Sequence, residues 1–425
     1  MTTEMAQTVR VLHLMGSPTS SFYFDLSVMY ARTAVEFQEL DHAGFQHEYA
    51  VVFVNGMWAF PKSLDSAALE KAERMRLPAA LAHIEACKPA VDVVMPHMFC
   101  QEGMTRYRAL FEMVGIEVLG CPAHTCTIAN DKFLTKHLCK ASDVPVPEGD
   151  LLRTDPHYLD VEGTAKSLLA RRRPPFIVKP AREDNSIGLS LVKTDAPEEL
   201  IAALGKAFQY DGHVLVEEYI AGRECRVAVL ELEDSEGGTR LEVLPKIEYL
   251  LEDIRTAKHK LSTDDNGKLM SSDANPADAI VNAKKEGDRV CPAQFPPEVH
   301  QRLDDLACRA HKALGCKYYS LYDVRINEDG YPFMLEAALF CSFSPFSVVV
   351  ALADKADDEQ LKPHPRVFEM LLRRAAGETR ARRAGAGAQT VTGAIKGAGR
   401  PAAMAAKASK KDGSDEGVPE VALRA

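Results

Sequence analysis

The run SLYDVRINEDGYPFMLEAALFCSFSPFSV, residues 320–348, constrains the fold more than any other stretch of the chain. Its first half alternates around Glu328-Asp329-Gly330 with a second extended run, so the two read as antiparallel strands joined by a tight turn. A period of two puts Leu321, Asp323 and Arg325 on one face of the first strand, with Tyr322, Val324 and Ile326 on the other. In the return strand Met334 and Glu336 share a face, and pairing brings Asp323 and Glu336 together. Two hard oxygen donors facing each other suit Mg2+, which takes one or two carboxylates and completes its shell with water and phosphate oxygens. The same acids also fit an exposed hairpin turned to solvent, and this segment alone leaves both readings open.

The first 120 residues set the context. Strand patterns at 9–15, 49–54 and 91–95 alternate with helical patterns at 25–40, 67–86 and 106–114, which predicts a parallel sheet with crossover helices. A helix over 123–141 runs into Val144-Pro145-Val146-Pro147, which cannot stay helical and marks a domain start, with the boundary near 120. Strand patterns then recur at 175–179, 189–193, 214–219, 226–231 and 241–249, with helices at 196–208 and 297–314; the close succession of strands predicts antiparallel sheets. Residues 253–289 are polar and without hydrophobic period, as in a functional lid or insertion. Helical patterns follow at 345–353 and 366–376, and from 377 onward Ala, Gly, Lys and Ser dominate, which predicts a disordered tail.

With 425 residues and 46% hydrophobic content, the chain can bury two or three cores. A net charge of −10 argues against a general nucleic-acid binder and favours small metabolites. The ten cysteines form no CxxC pair, and no apolar run reaches the length of a membrane span, so the expected setting is the reducing cytosol, away from membranes.

Three further segments carry chemistry. In FIVKPAREDNSIG a strand delivers Lys179 to a loop whose backbone N–H groups can cradle phosphate; a solvated hairpin is the plainer reading, since the loop holds a single glycine. TIANDKFLTK offers Lys132 beside Asp131 at the start of a helix, or simply a surface helix. In LVEEYIAGRE, Glu217 and Glu224 can accept hydrogen bonds from an adenine amine and ribose hydroxyls, or face solvent on a strand edge.

Together, in this order and spacing, VKPAREDNSIGLSLV, LVEEYIAGRE, the CPAQF segment at 291–295 and DVRINEDGYPFMLEA resemble the ATP-grasp ligases, and within them the D-alanine:D-alanine ligases, over roughly residues 9–353. The resemblance implies an α/β fold: an N-terminal parallel-sheet substrate domain (1–120), then a two-lobed, α+β ATP-grasp with antiparallel sheets, a central lobe (121–210) and a C-terminal lobe with metal and substrate sites (211–376), and the tail (377–425). It implies ATP and Mg2+ or Mn2+, small amino-acid or carboxylate substrates, and a homodimer. Carried over position by position, Lys132 and Lys179 contact nucleotide phosphates, Ser186 covers the γ-phosphate, Glu217 and Glu224 hold adenine and ribose, and Asp323 and Glu336 ligate the metal. His97 and the Glu102-Gly103 pair border the first substrate pocket, Ser347 meets the second substrate's carboxylate, the Ser342 amide serves an oxyanion, and Lys260, or else Lys258, is the lid lysine.

Three positions depart from the pattern. Leu321 stands in place of an arginine that steadies the tetrahedral intermediate, Ala338 in place of an asparagine at the metal, and Tyr23 in place of a glutamate that orients the first substrate. Arg325, on the face of Asp323, is the candidate to supply the lost charge, or else a surface ion-pair partner. The activity implied is ATP-dependent amide formation through an acyl phosphate; the alternatives are a nucleotide-binding ATP-grasp protein with weak or no turnover, and a ligase for an unrelated carboxylate.

Overall fold

The computed structural model describes residues 8–36, 44–153, 160–234, 236–251, 253–255, 288–344, 347–362 and 366–388. Strand β1 (Val9–Gly16) is apolar on both faces because it lies at the centre of a parallel sheet. Helix α1 (Ser21–Glu36) crosses to β2 (Phe45–Val52), which pairs in parallel with β1, and β3 (Trp58–Ala59) closes that edge antiparallel. The helix expected over 67–86 is two, α2 (Ser66–Lys71) and α3 (Leu77–Ala86). Between them Met75 leaves helical geometry to exchange two backbone hydrogen bonds with Trp58, each 2.8 Å. Strand β4 (Val93–Pro96) then pairs with the other side of β1, and after a π-helical turn (Gly103–Tyr107) and α4 (Arg108–Met113), β5 (Glu117–Val118) completes the sheet in the order β3-β2-β1-β4-β5.

The helix expected over 123–141 is also broken, into α5 (Ala123–Ala129) and α6 (Lys132–Lys140). Asp131 makes the break: its side chain accepts from the Phe133 and Leu134 N–H groups at 3.0 and 3.1 Å, capping α6 and making Lys132 its first residue. A four-stranded antiparallel sheet follows, built from β6 (Gly149–Arg153), β7 (Phe176–Pro180), β8 (Ser190–Val192) and β9 (His213–Glu218) in the order β6-β9-β7-β8. Helices α7 (Val161–Arg171) and α8 (Pro197–Phe208) cover one face. Phe176, Val178, Val214 and Val216 point into that core, and alternation turns Lys179 and Glu217 to the opposite face. Neither β6 nor α7 was legible in the sequence.

The last sheet is the largest. Strand β10 (Arg223–Glu233) pairs with both β11 (Thr239–Val243) and β12 (Ile247–Tyr249), which replace the single strand expected over 241–249. With β13 (Arg289–Val290), β14 (Tyr319–Ile326) and β15 (Pro332–Ala337) the order is β13-β12-β10-β14-β15, and α9 (Pro297–Ala313) packs its apolar stripe against the sheet. Gly222 closes the β9–β10 turn at a φ of +125°, where a Cβ would sit 2.1 Å from the Ile326 carbonyl oxygen, so no other residue fits.

Helix α10 (Val348–Ala353) precedes α11 (Arg366–Ala388), which corrects the expected tail. Residues 377–388 are helical, and the docking is ionic. Arg380 holds Asp92 at 2.7 and 2.9 Å, Glu378 pairs with Lys317 at 2.5 Å, Arg382 pairs with Glu117, and the Thr379 hydroxyl accepts from the Glu117 N–H at 2.9 Å. Residues 389–425 lie outside the described residues.

Candidate active site

The expected hairpin is present. Strands β14 and β15 pair antiparallel with Asp323 opposite Glu336, and the register shifts between Asp323 and Val324. On the other side of β14, Arg226 of β10 stands directly across from Asp323 and grips it with two nitrogens, the longer contact being 3.1 Å. Burial opposes the charge on Arg226, but Asp323 overrides it and raises the guanidinium pKa. Glu336 pairs with Lys132 at 3.6 Å. Each carboxylate is thus paired with a cation on a neighbouring element.

Helix α6 links this sheet to the four-stranded one. Lys132 and Lys136, one turn apart, share a face of the helix. Lys132 donates to the Glu183 carbonyl and reaches Glu336; its pKa is raised, burial being overcome by Glu336 and Asp184. Lys136 reaches the other sheet and bonds Glu217, whose second carboxylate oxygen accepts from Lys179 at 2.6 Å. Glu217 is 1% exposed. Burial alone would raise its pKa, and the two lysines hold it below the ordinary value; burial and the adjacent Lys179 bring Lys136 down to about 7 despite the pull of Glu217.

Two cavities flank the hairpin and share Lys132, Glu183, Arg255 and Glu336. The smaller is bounded by Lys179, Ser186, Glu217, Glu224, Asp323 and Arg325. Over it lies the 181–189 loop, in which Asn185 and Ser186 both adopt left-handed φ, 54° and 60°. Such φ values are uncommon outside glycine and are a local strain. The Ser186 hydroxyl donates to the Arg255 carbonyl at 2.9 Å, and at the loop's base Arg182 is anchored on Asp211. The larger cavity, about 230 Å³, is walled by Tyr30, Phe99, Leu321, Ala338, Phe340 and Ser342, with Ser347 at its edge. Tyr30, Phe99 and Phe340 form an aromatic wall, with Tyr30 and Phe99 centred 5.3 and 5.0 Å from Phe340.

Most of the expected residues meet here: Lys132, Lys179, Ser186, Glu217, Glu224, Asp323, Glu336, Ser342 and Ser347 all line one cavity or the other. Three of the expected residues lie elsewhere. Arg325 does not reach the Leu321 cavity: its guanidinium is spent on the Asp253 and Gly222 carbonyls, both at 2.8 Å, the Tyr219 hydroxyl at 3.0 Å, and Glu224. His97 and Glu102 line neither cavity, although Phe99 and Met104 of the same segment line the larger one. His97 is fully buried, and its Nε2 bonds His13, which in turn bonds His47, each at 2.9 Å. Burial lowers its pKa to about 3. Lys260 and its alternative Lys258 lie outside the described residues. The reading from sequence missed Lys136, which the four-residue spacing from Lys132 signals, and Arg226, Arg255 and Arg289, cations of the larger cavity that come from three separate segments.

Among the described residues no cluster of three or more His, Cys, Asp or Glu could hold a metal by itself. Asp323 and Glu336, opposed on adjacent strands and both lining the smaller cavity, offer the two hard oxygen ligands that Mg2+ takes when phosphates complete its shell. The donor set fits the ion.

Comparison with known proteins places the fold. The family model described as "D-ala D-ala ligase C-terminus" matches residues 138–272. The chain is 30% identical over 250 residues to the uncharacterized protein y4sG of Sinorhizobium fredii, covering 59% of this chain and 64% of that one. It is 28% identical over 248 residues to a D-alanine--D-alanine ligase of Geobacter sulfurreducens, covering 58% and 66%. The match therefore spans less than two thirds of the length of these relatives. Among solved structures, the D-alanine-D-alanine ligase of Coxiella burnetii superposes with a TM-score of 0.64 at 17% identity, covering 90% of this chain and 98% of that one. A Bacillus anthracis D-alanine--D-alanine ligase complexed with ATP gives 0.59 at 17%, covering 89% and 100%. The fold is thus the one these D-alanine–D-alanine ligase structures share, and the matched segment is similar in sequence to the C-terminal part of such ligases.

Proposed function

We propose that the protein is an ATP-dependent carboxylate–amine ligase. The observation that carries this is the cleft in which Lys132 and Lys179 converge on the side of Asp323 and Glu336, one pair suited to phosphate and the other to the cation that travels with it. A substrate carboxylate oxygen would attack the γ-phosphorus and release ADP; an amine would then attack the acyl carbon, expel phosphate, lose a proton and leave an amide. Bound Mg2+ would neutralise charge on the transferring phosphoryl group. Lys132 and Lys179 would position the phosphates, Ser186 would lie over them, and Glu224, braced by Arg255 and Arg325, would meet the sugar. We assign the larger cavity to the acyl and amine substrates, with the Ser342 amide at the developing oxyanion and Ser347 at the second substrate's carboxylate.

The loss of the arginine at Leu321 would favour a protein that binds nucleotide without turnover. Arg226, Arg255 and Arg289 line the same cavity and supply positive charge beside Leu321, which favours the enzyme. The aromatic wall favours a substrate with more apolar surface than alanine. Phosphate release from ATP and Mg2+, measured across D- and L-amino acids and simple carboxylates, tests the reading. Release that depends on one acid supports a ligase; silence throughout, with nucleotide still bound, leaves a nucleotide-binding protein instead.

A further inference from the structure

We infer that Lys136 is a positioning residue for the nucleotide site: it is the standing counter-ion of Glu217 and so leaves Lys179 free to turn to phosphate. The inference rests on the nucleotide reading and deepens it. Glu217 is 1% exposed and each of its oxygens accepts from a lysine, Oε2 from Lys136 and Oε1 from Lys179. One carboxylate needs one cation, so one of the two lysines is surplus to local neutrality.

Geometry decides which. Lys179 and Glu217 line the smaller cavity, whereas Lys136 lines neither cavity. Its side chain, 5% exposed, has no open space beside a ligand to enter. Lys136 stays, and Lys179 is the one that can leave. In a protein without Lys136, a phosphate could recruit Lys179 only by stripping a buried carboxylate of its sole lysine, which is strongly unfavourable. With Lys136 present the exchange leaves Glu217 paired throughout. The ionisation of Lys136 supports this division. Burial, with repulsion from Lys179, brings its pKa to about 7, and departure of Lys179 toward a phosphate removes the repulsion, so Lys136 holds its proton most firmly when Glu217 depends on it alone.

The test is a double-mutant cycle on the full chain, with calorimetric titration of the non-hydrolysable ATP analogue AMP-PNP in the presence of Mg2+. Lys136→Met is expected to weaken binding at least tenfold, and Lys136→Arg, which keeps the cation, to stay within threefold of wild type. In a Glu217→Gln background, where there is no buried charge to neutralise, Lys136→Met is expected to change affinity less than threefold. Should Lys136→Met fail to fold alone, Lys136→Gln, which keeps a hydrogen-bond donor for Glu217 but not the charge, takes its place in both backgrounds with the same expected losses. Equal losses in the two backgrounds, or no loss in either, overturn the inference and leave the nucleotide reading standing. A wild-type protein that binds no AMP-PNP overturns both.

Discussion

Replacing Arg226 by Met separates the structural and functional loads on the carboxylate pair. In the wild type the Arg226 guanidinium grips Asp323 with two nitrogens from the directly opposed position on β10, while Glu336 faces Asp323 from β15. Asp323 is 4% exposed. Removing one partner of a buried ion pair typically costs about 3–5 kcal/mol, and the lower end applies here because Lys132 still stabilises the neighbouring Glu336. At an unfolding entropy of about 2 cal/mol/K per residue, a loss of about 3 kcal/mol lowers the melting temperature of a chain this size by about 4 °C. A divalent cation supplies the missing charge, so 10 mM Mg2+ with AMP-PNP should raise the melting temperature of Arg226→Met more than that of wild type, in which the guanidinium competes for Asp323. Turnover should nonetheless fall about 10²–10³-fold, the usual cost of one lost donor at a developing oxyanion. Differential scanning fluorimetry with and without Mg2+, beside phosphate release, reads all three effects. A melting temperature within 1 °C of wild type would refute the buried-charge argument, and an unaltered Mg2+ response would remove Asp323 from the metal site.

Glu336→Gln takes a formal charge from the proposed cation site and should raise the Mg2+ concentration needed for half-maximal AMP-PNP binding at least tenfold, whereas Ala338→Asn, adding an oxygen donor two residues on, should lower it; the reverse order would contradict the assignment. Deleting residues 377–425 should cost about 2–4 kcal/mol and several degrees of melting temperature, because the Asp92 and Glu117 carboxylates lose Arg380 and Arg382, while deleting only 389–425 should change it by less than about 2 °C. In acid, His97 resists protonation down to about pH 3 in the folded state but accepts a proton near 6.5 when unfolded, so its contribution is present above 6.5 and lost as pH falls. At pH 4 that loss is about 3 kcal/mol, and His97→Phe should flatten the fall in stability between pH 7 and 4; denaturant melts at each pH check the slope.

What the sequence made legible follows from range. Alternation within ten residues was enough to pair Asp323 with Glu336, because the turn at 328–330 closes the hairpin locally and leaves little choice of register. The start of a helix at Lys132 beside Asp131 was equally local, yet the continuous helical pattern over 123–141 hid the break that the Asp131 cap makes, and the place of Lys136 on the same face went unread. Arg226 shows the limit. Its face on β10 follows from alternation, but its partner lies on a strand 97 residues later, and only the pairing of β10 with β14 makes them neighbours. The histidine row is the parallel-sheet version of the same problem: His13, His47 and His97 meet because β2 and β4 flank β1, a choice that no local signal encodes.

The C-terminal helix was legible over 366–376, but its continuation over 377–388 was missed for a different reason. A segment of Ala, Gly and Arg offers no apolar stripe, so a hydrophobic criterion assigns it no docking surface. Its partners supply what it lacks: Asp92 and Glu117 are buried acids at the ends of two parallel strands, and each takes an arginine from α11. An acidic body with a net charge of about −14 over residues 1–376, followed by a basic segment, already carried that complementarity. The same logic runs through the cleft, where Lys136, Lys179 and Arg226 are each fixed by a buried carboxylate and Lys132 by the half-buried Glu336. In a site proposed to receive phosphate, the resting structure must hold its cations somewhere: Lys132 and Lys179 rest on Glu336 and Glu217, which the ligand would make them leave, while Lys136 stays on Glu217.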